Sequence, residues 1–77
     1  MANYARRYVE NVGGSFYVDQ DCTACDTCVS IAPLHFRLTS TSDHAFVTMQ
    51  PRNEVEIVRC QHALATCPVG AIGRLEA

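Results

Sequence analysis

The chain has no lysine. Its six basic residues are all arginine, and eight acidic residues outnumber them, giving a formal net charge of −2. A strongly basic surface for nucleic acid is therefore excluded, because such surfaces rest on clustered Lys and Arg. Long apolar runs are missing too. None approaches the roughly 18 residues needed to cross a membrane, so no membrane partner is expected. The stretch Met1–Glu10 has no apolar secretory core, and the Arg6-Arg7 pair is followed by no hydrophobic segment. The expectation is a cytoplasmic protein. Charged residues make up 18% of the chain against 48% hydrophobic, a balance that disordered chains do not show. No linker or low-complexity tract is visible, and no nucleophile–base–orienter set points to an independent enzyme.

What the chain does have is five cysteines in 77 residues. That length allows one domain. A domain this small buries roughly 60–65% of the surface its unfolded chain exposes. Its core alone supplies roughly 3–5 kcal/mol, and small folds add a disulfide, a metal or a partner subunit. In a reducing compartment patterned cysteines more often bind metal than pair, and five cannot all pair within one chain. The staple narrows to a metal or cluster, in a chain expected to be a monomer.

Residues 1–14 read as an N-terminal extension ending at Gly13-Gly14, and 15–77 as the domain proper. Ser15–Asp19 is aromatic and β-branched and predicts a strand. The cysteine loop, with a short helix, runs from Asp21 to about Pro33. The polar turn Thr39–His44 lies between the apolar runs Leu34–Leu38 and Ala45–Met49, which predicts a hairpin over 34–49. Pro51 then breaks the chain. Asn53 with Glu56 three residues later fits a helix N-cap and its reciprocal partner. Val55, Val58, Ala63 and Leu64 recur at helical spacing, predicting a helix over about 54–66 that Pro68 and Gly70 end. Ala71–Leu75 closes the fold as a last strand beside 15–19. The class is α+β.

Cys22, Cys25 and Cys28 form C-x2-C-x2-C, and Cys67 stands directly before Pro68. Three thiolates spaced by three residues let a tight loop wrap one corner of an iron–sulfur cubane, and a remote cysteine takes the fourth iron. Iron–sulfur motifs of this type read C-x2-C-x2-C-x3-C-P, and in two-cluster proteins the cysteine before proline serves the other cluster. Applied to both halves, the offsets give Cys22, Cys25, Cys28 and Ala32, then Ile57, Cys60, Ala63 and Cys67. The chain reads as a degraded duplication with a period of 35 residues. One cluster would need Cys22, Cys25, Cys28 and Cys67, all present. The other would need Ala32, Ile57, Cys60 and Ala63, three of which cannot bind iron. The alternative staple is zinc, which also takes four thiolates but usually from two C-x2–4-C pairs.

These segments, Tyr17–Cys28, Ala32-Pro33 with Phe36, and Cys67–Ile72, resemble a bacterial single-cluster [4Fe-4S] ferredoxin over about residues 15–76. The resemblance implies a small ferredoxin fold, redox partner proteins (a reductase or oxidoreductase), and a one-electron carrier without a catalytic site of its own. It also implies one [4Fe-4S] cluster in preference to [3Fe-4S], because Cys25 occupies the position whose loss leaves three irons in such proteins. Where some members keep a disulfide in place of the lost cluster, this chain has Ala32 and leaves Cys60 alone. The alternative function is a structural or sensory cluster or zinc module acting as a binding domain.

Other features weigh less. Cys60 lies seven residues before Cys67, so both are expected on one helical face, Cys60 as a buried apolar side chain or a redox thiol. Asp19, Asp21 and Asp26 form either an acidic rim that steers a basic partner or caps on backbone amides. His35, His44 and His62 occupy no motif position and read as packing or surface residues. Arg6 and Arg7 read as solvated charges. Phe16, Tyr17 and Phe36 are expected in the core and shielding the cluster. Amides of Thr23–Thr27 and of the Val69–Gly70 turn are candidate donors to sulfur, and Val18, Ile31 and Ile72 the apolar wall.

Overall fold

Phe16-Tyr17-Val18 forms strand β1, as aromatic and β-branched side chains favour the pleated surface of a sheet. The computed structural model, which describes residues 2–22 and 26–75, buries all three of these residues rather than alternate ones. β1 pairs antiparallel with the last strand, β4 (Ile72–Arg74), in the register Phe16↔Arg74, Tyr17↔Gly73, Val18↔Ile72. One further hydrogen bond at each end, Asp19 N–H to Ala71 O and Leu75 N–H to Ser15 O, both 2.8 Å, lengthens the ladder. Gly73 has to be glycine: a Cβ there would collide with the Tyr17 ring lying across it.

A second antiparallel pair, β2 (Phe36–Leu38) and β3 (Ala45–Val47), turns through residues 39–44. The expected hairpin is there, but shorter. Leu34 stays outside the strand and is 63% exposed. The two sheets share no backbone ladder; side-chain amides join them instead. Asn11 Oδ1 accepts from Val18 N–H (3.2 Å) and Val47 N–H (2.9 Å), while its Nδ2 donates to Tyr8 O (2.7 Å) and Val18 O (2.9 Å). Gln50 does the same at the other end, accepting from Phe16 N–H (3.0 Å) and donating to Phe16 O (2.8 Å) and Val12 O (3.1 Å). Residues 2–12 thus lie along β1, with Tyr8 N–H on Val18 O (3.0 Å) and a bridge between Arg7 and Asp19.

The short helix α1 (Thr27–Ile31) and the longer α2 (Glu54–Thr66) pack on each other. The bounds of α2 match the sequence reading. Its buried face does not. Val55 and Val58 are 69% and 63% exposed, whereas Cys60 and Ala63 are fully buried. The helix has apolar residues on more than one side, and the core covers the face that carries the small side chains of Cys60 and Ala63. Ala32, Phe36, Val47, Ala71 and Ile72 complete the same core.

The α2 cap also differs in detail. Asn53 Oδ1 accepts from Glu56 N–H (2.9 Å) as expected, but the Glu56 carboxylate returns to Arg52, one residue earlier, taking its backbone N–H (2.9 Å) and its guanidinium (3.2 Å). The Arg52 side-chain hydrogen bond, aided by the Arg52 backbone, holds the Glu56 carboxyl below the usual carboxylate range. A depressed folded-state pKa stabilises above the unfolded-state value, and that contribution is lost as pH falls through the folded one. In an NMR titration of the carboxyl carbons, Glu56 should therefore titrate at lower pH in the folded protein than in the urea-unfolded chain. Coincident midpoints in the two states would remove the cap's charge contribution.

Candidate iron–sulfur site

Three elements converge at one end of the molecule. The turn after β1 carries Cys22, its N–H bonded to Asp19 O (3.2 Å). Asp26, in the left-handed conformation at φ 71°, starts α1 and brings Cys28 onto the inward side, where it is buried. Aspartate is one of the few residues besides glycine that adopts this conformation at low cost. Cys67 stands just past the end of α2, its N–H still on Ala63 O (3.1 Å). Pro68 cannot extend the helix, and Gly70, at φ 64°, turns the chain back with its N–H on Cys67 O (3.2 Å).

Cys22, Cys28 and Cys67 line one cavity, with Asp26, Thr27, Ala45, Val69 and Ile72 forming the rest of its wall. Two sulfurs receive backbone hydrogen bonds: Ala45 N–H points at Cys22 Sγ (3.3 Å) and Ala71 N–H at Cys67 Sγ (3.4 Å). Such donors stabilise thiolate and tune metal–thiolate centres. Among the described residues, no three Cys, His, Asp or Glu side chains close on a single ion. Thiolate donors around an apolar cavity with amides on sulfur fit an iron–sulfur cluster. Cys25 and the donor loop 23–25 lie outside the described residues.

Of the expected apolar wall, Ile72 lines the cavity. Val18 is buried in the core and Ile31 half-buried beside it, neither on the lining, while Ala45 and Val69 take wall positions that sequence reasoning missed. Phe16, Tyr17 and Phe36 are buried but away from the lining. The donor expected from the Val69–Gly70 turn comes one residue later, at Ala71, because Gly70 N–H is already engaged. Ala45 arrives from a hairpin 23 residues away in sequence, and no local pattern marks it.

The three aspartates divide. Asp19 is fully buried and accepts from the backbone N–H of Asn3 (2.8 Å) and Asp21 (2.9 Å), so it caps amides. Asp21 is exposed and meets Arg6 at 3.2 Å, a surface pair of small energetic weight. Asp26 is exposed near the cavity mouth. Arg7 lies over the Tyr4 ring at 3.8 Å. His35 and His44 are buried and His62 exposed, as packing and surface residues should be. His35 Nδ1 faces Met49 O at 2.7 Å, and the His44 ring stacks on Tyr8 at 3.4 Å.

The fold is that of known ferredoxins. It superposes on the crystal structure of ferredoxin I from Desulfovibrio africanus with a TM-score of 0.68, at 34% identity, over 84% of this chain and all of that one. The NMR structure of the oxidised form of that ferredoxin I gives 0.64 at 38% identity, over 82% of this chain and 97% of that one. Residues 18–74 match the family described as the 4Fe-4S single cluster domain of Ferredoxin I. The chain belongs to the single-cluster ferredoxin family. Ferredoxin-2 of Nitratidesulfovibrio vulgaris (strain DSM 19637 / Miyazaki F) is 42% identical over 57 residues, 73% of this chain and 84% of the relative. Ferredoxin-1 of Desulfocurvibacter africanus is 41% identical over 59 residues, 74% and 86% of the two chains. Membership makes this an iron–sulfur electron carrier. No helix among the described residues is long and apolar enough to cross a membrane.

Cys60 and Cys67 do not share a helical face in this ferredoxin. Cys67 has left the helix for the cavity, while Cys60 is a free thiol in the core between the helices. Burial pushes the Cys60 thiol up to about 11, with a smaller contribution from Glu56. Alkylation needs thiolate, so iodoacetamide at neutral pH should leave Cys60 unmodified in the folded holoprotein, as read by mass spectrometry. Its modification at the rate of an exposed thiol would contradict this burial.

Proposed function

We propose that this ferredoxin carries one electron at a time between partner oxidoreductases, through a single [4Fe-4S] cluster bound by Cys22, Cys25, Cys28 and Cys67. The observation carrying the reading is the cavity on which Cys22, Cys28 and Cys67 meet, with Ala45 and Ala71 amides aimed at two of the sulfurs. When bound, the cluster supplies the one-electron redox couple. The chain does the rest. Its thiolates hold the irons, its amides stabilise added negative charge on sulfur, and Ile72, Ala45 and Val69 limit water. Val69, 41% exposed at the rim, offers an apolar contact point for a partner.

One cluster rather than two is supported by the second motif. Ala32, Cys60 and Ala63 are packed in the core between the helices, each 1% exposed or less. Residues 15–77 form the cluster-bearing domain in this reading, and 1–14 an extension of it. The protein works as a monomer in the cytoplasm, where thiols stay reduced. Partner complexes should be small, below about 1,200 Å² of buried surface, as transient redox encounters are.

Protein purified anaerobically should be brown, contain about four irons per chain as a four-thiolate cubane requires, and give an EPR signal only after one-electron reduction. Stoichiometric zinc instead of iron would overturn the reading, as would loss of the cluster on each redox cycle.

A further inference from the structure

The hydrogen bond from Ala45 N–H to Cys22 Sγ (3.3 Å) depends on where β3 sits, and β3 is gripped on both sides of Ala45 by residues 8–12. On one side the Tyr8 ring stacks on His44, centroids 3.4 Å apart and planes 7° from parallel. On the other, Asn11 Oδ1 accepts from Val47 N–H (2.9 Å) and Val12 N–H donates to Val47 O (3.0 Å). The same Asn11 side chain is fixed to β1 through Val18 N–H and Val18 O, and β1 leads directly into the turn that carries Cys22. Asn11 therefore sets the spacing between the strand bearing the donor and the segment bearing the acceptor. All four hydrogen-bonding valences of its carboxamide are used, so it has no slack.

We infer that Asn11, with Tyr8, is a positioning residue for the redox centre: the N-terminal segment holds the Ala45 amide on Cys22 Sγ and so raises the reduction potential. This rests on Cys22 being a cluster ligand. Hydrogen bonds to cluster sulfurs are among the determinants of potential, because they stabilise the form with the extra electron. Loosening β3 weakens that bond and disfavours reduction, with no change in ligands or net charge.

The test is the midpoint potential of the holoprotein. Asn11→Ala should shift the reduced-to-oxidised ratio about tenfold toward oxidised at a fixed ambient potential, a drop of about 59 mV for one electron, with iron content unchanged. Gln50→Ala is the matched control. It removes a three-bond amide bridge at the Phe16 end of β1, away from the turn that carries Cys22, and should lower thermal stability while leaving the potential at the wild-type value. Asn11→Ser, keeping one hydroxyl acceptor, should fall between Asn11→Ala and wild type. A wild-type potential in either Asn11 variant, or an equal drop in Gln50→Ala, would overturn the inference while leaving the cluster assignment standing. A wild-type protein without iron would overturn the assignment itself. If neither Asn11 variant assembles a cluster, hydrogen exchange on the wild-type holoprotein decides: the Ala45 and Val47 amides and the Asn11 carboxamide should exchange as one cooperative unit. Independent exchange of Ala45 would overturn the inference.

Discussion

Cys67→Ala should abolish stable cluster assembly: iron per chain falls from about four, the number the motif implies, to a small residual, and the visible absorption disappears. Three of the four proposed ligands, Cys22, Cys25 and Cys28, are neighbours in sequence. Cys67 alone comes from the far end of the chain, carried there by the end of α2 and the Gly70 turn. Removing it leaves one corner of the cubane without thiolate and the Ala71 N–H without its sulfur acceptor. Cys60 cannot step in. It lies seven residues earlier, about 10 Å along the helix at 1.5 Å per residue, and is locked in the core between α1 and α2. Cys60→Ala should accordingly keep the wild-type spectrum and iron content and lose only modest thermal stability, on the order of 1 kcal/mol for a small buried truncation. Iron measured on anaerobically reconstituted protein checks both variants. Equal losses would mean that the ligand assignment is wrong.

How far the sequence could be read follows from which interactions are local. Strong signals had local causes: Asn53 for the start of α2, Pro68 and Gly70 for its end, the aromatic and β-branched run of β1, and the polar turn between the hairpin strands. Each is written within a few residues, and each element formed. The buried face of α2 was misread because Val55 and Val58 carry the same helical period as the buried residues. The choice between faces is made by tertiary packing, which buries the side with Cys60 and Ala63. The Ala45 donor was missed for the same reason. Ala45 reaches Cys22 only through the docking of a distant hairpin, and an alanine carries no sign of what its N–H will do. Asn11 and Gln50 were missed altogether. Each joins backbone groups of β1 to the end of a sheet it does not pair with, a role with no sequence motif, and Asn11 stands in a segment that reads as a mere extension. That Cys22, Cys28 and Cys67 line one cavity could be expected because cluster chemistry fixes the spacing of its thiolates; the Ala45 and Ala71 amides could not, because tertiary packing places them.

Removing the iron should unfold most of the chain. The regular elements are too short to persist alone. Among the described residues every strand has three residues, both sheets have two strands, and isolated two-stranded sheets are marginal in water. Helix α1 has five residues, far below the roughly 12–15 at which an isolated helix becomes even marginal. The core that joins them contains two phenylalanines and otherwise mostly small residues and valines, worth roughly 3–5 kcal/mol in a domain of this size. Structural metal binding in small domains supplies apparent energies of about 10–16 kcal/mol, measured on zinc fingers, so the cluster outweighs the core. Held by Cys22 and Cys67, it would also tie the turn after β1 to the end of α2. Chelation under reducing, anaerobic conditions should therefore remove most of the far-ultraviolet circular dichroism and collapse the amide dispersion in NMR, with both restored by iron and sulfide. An apo protein with native-like dichroism and dispersed amides would show that the amide bridges of Asn11 and Gln50 and the α1–α2 core hold the fold without the cluster.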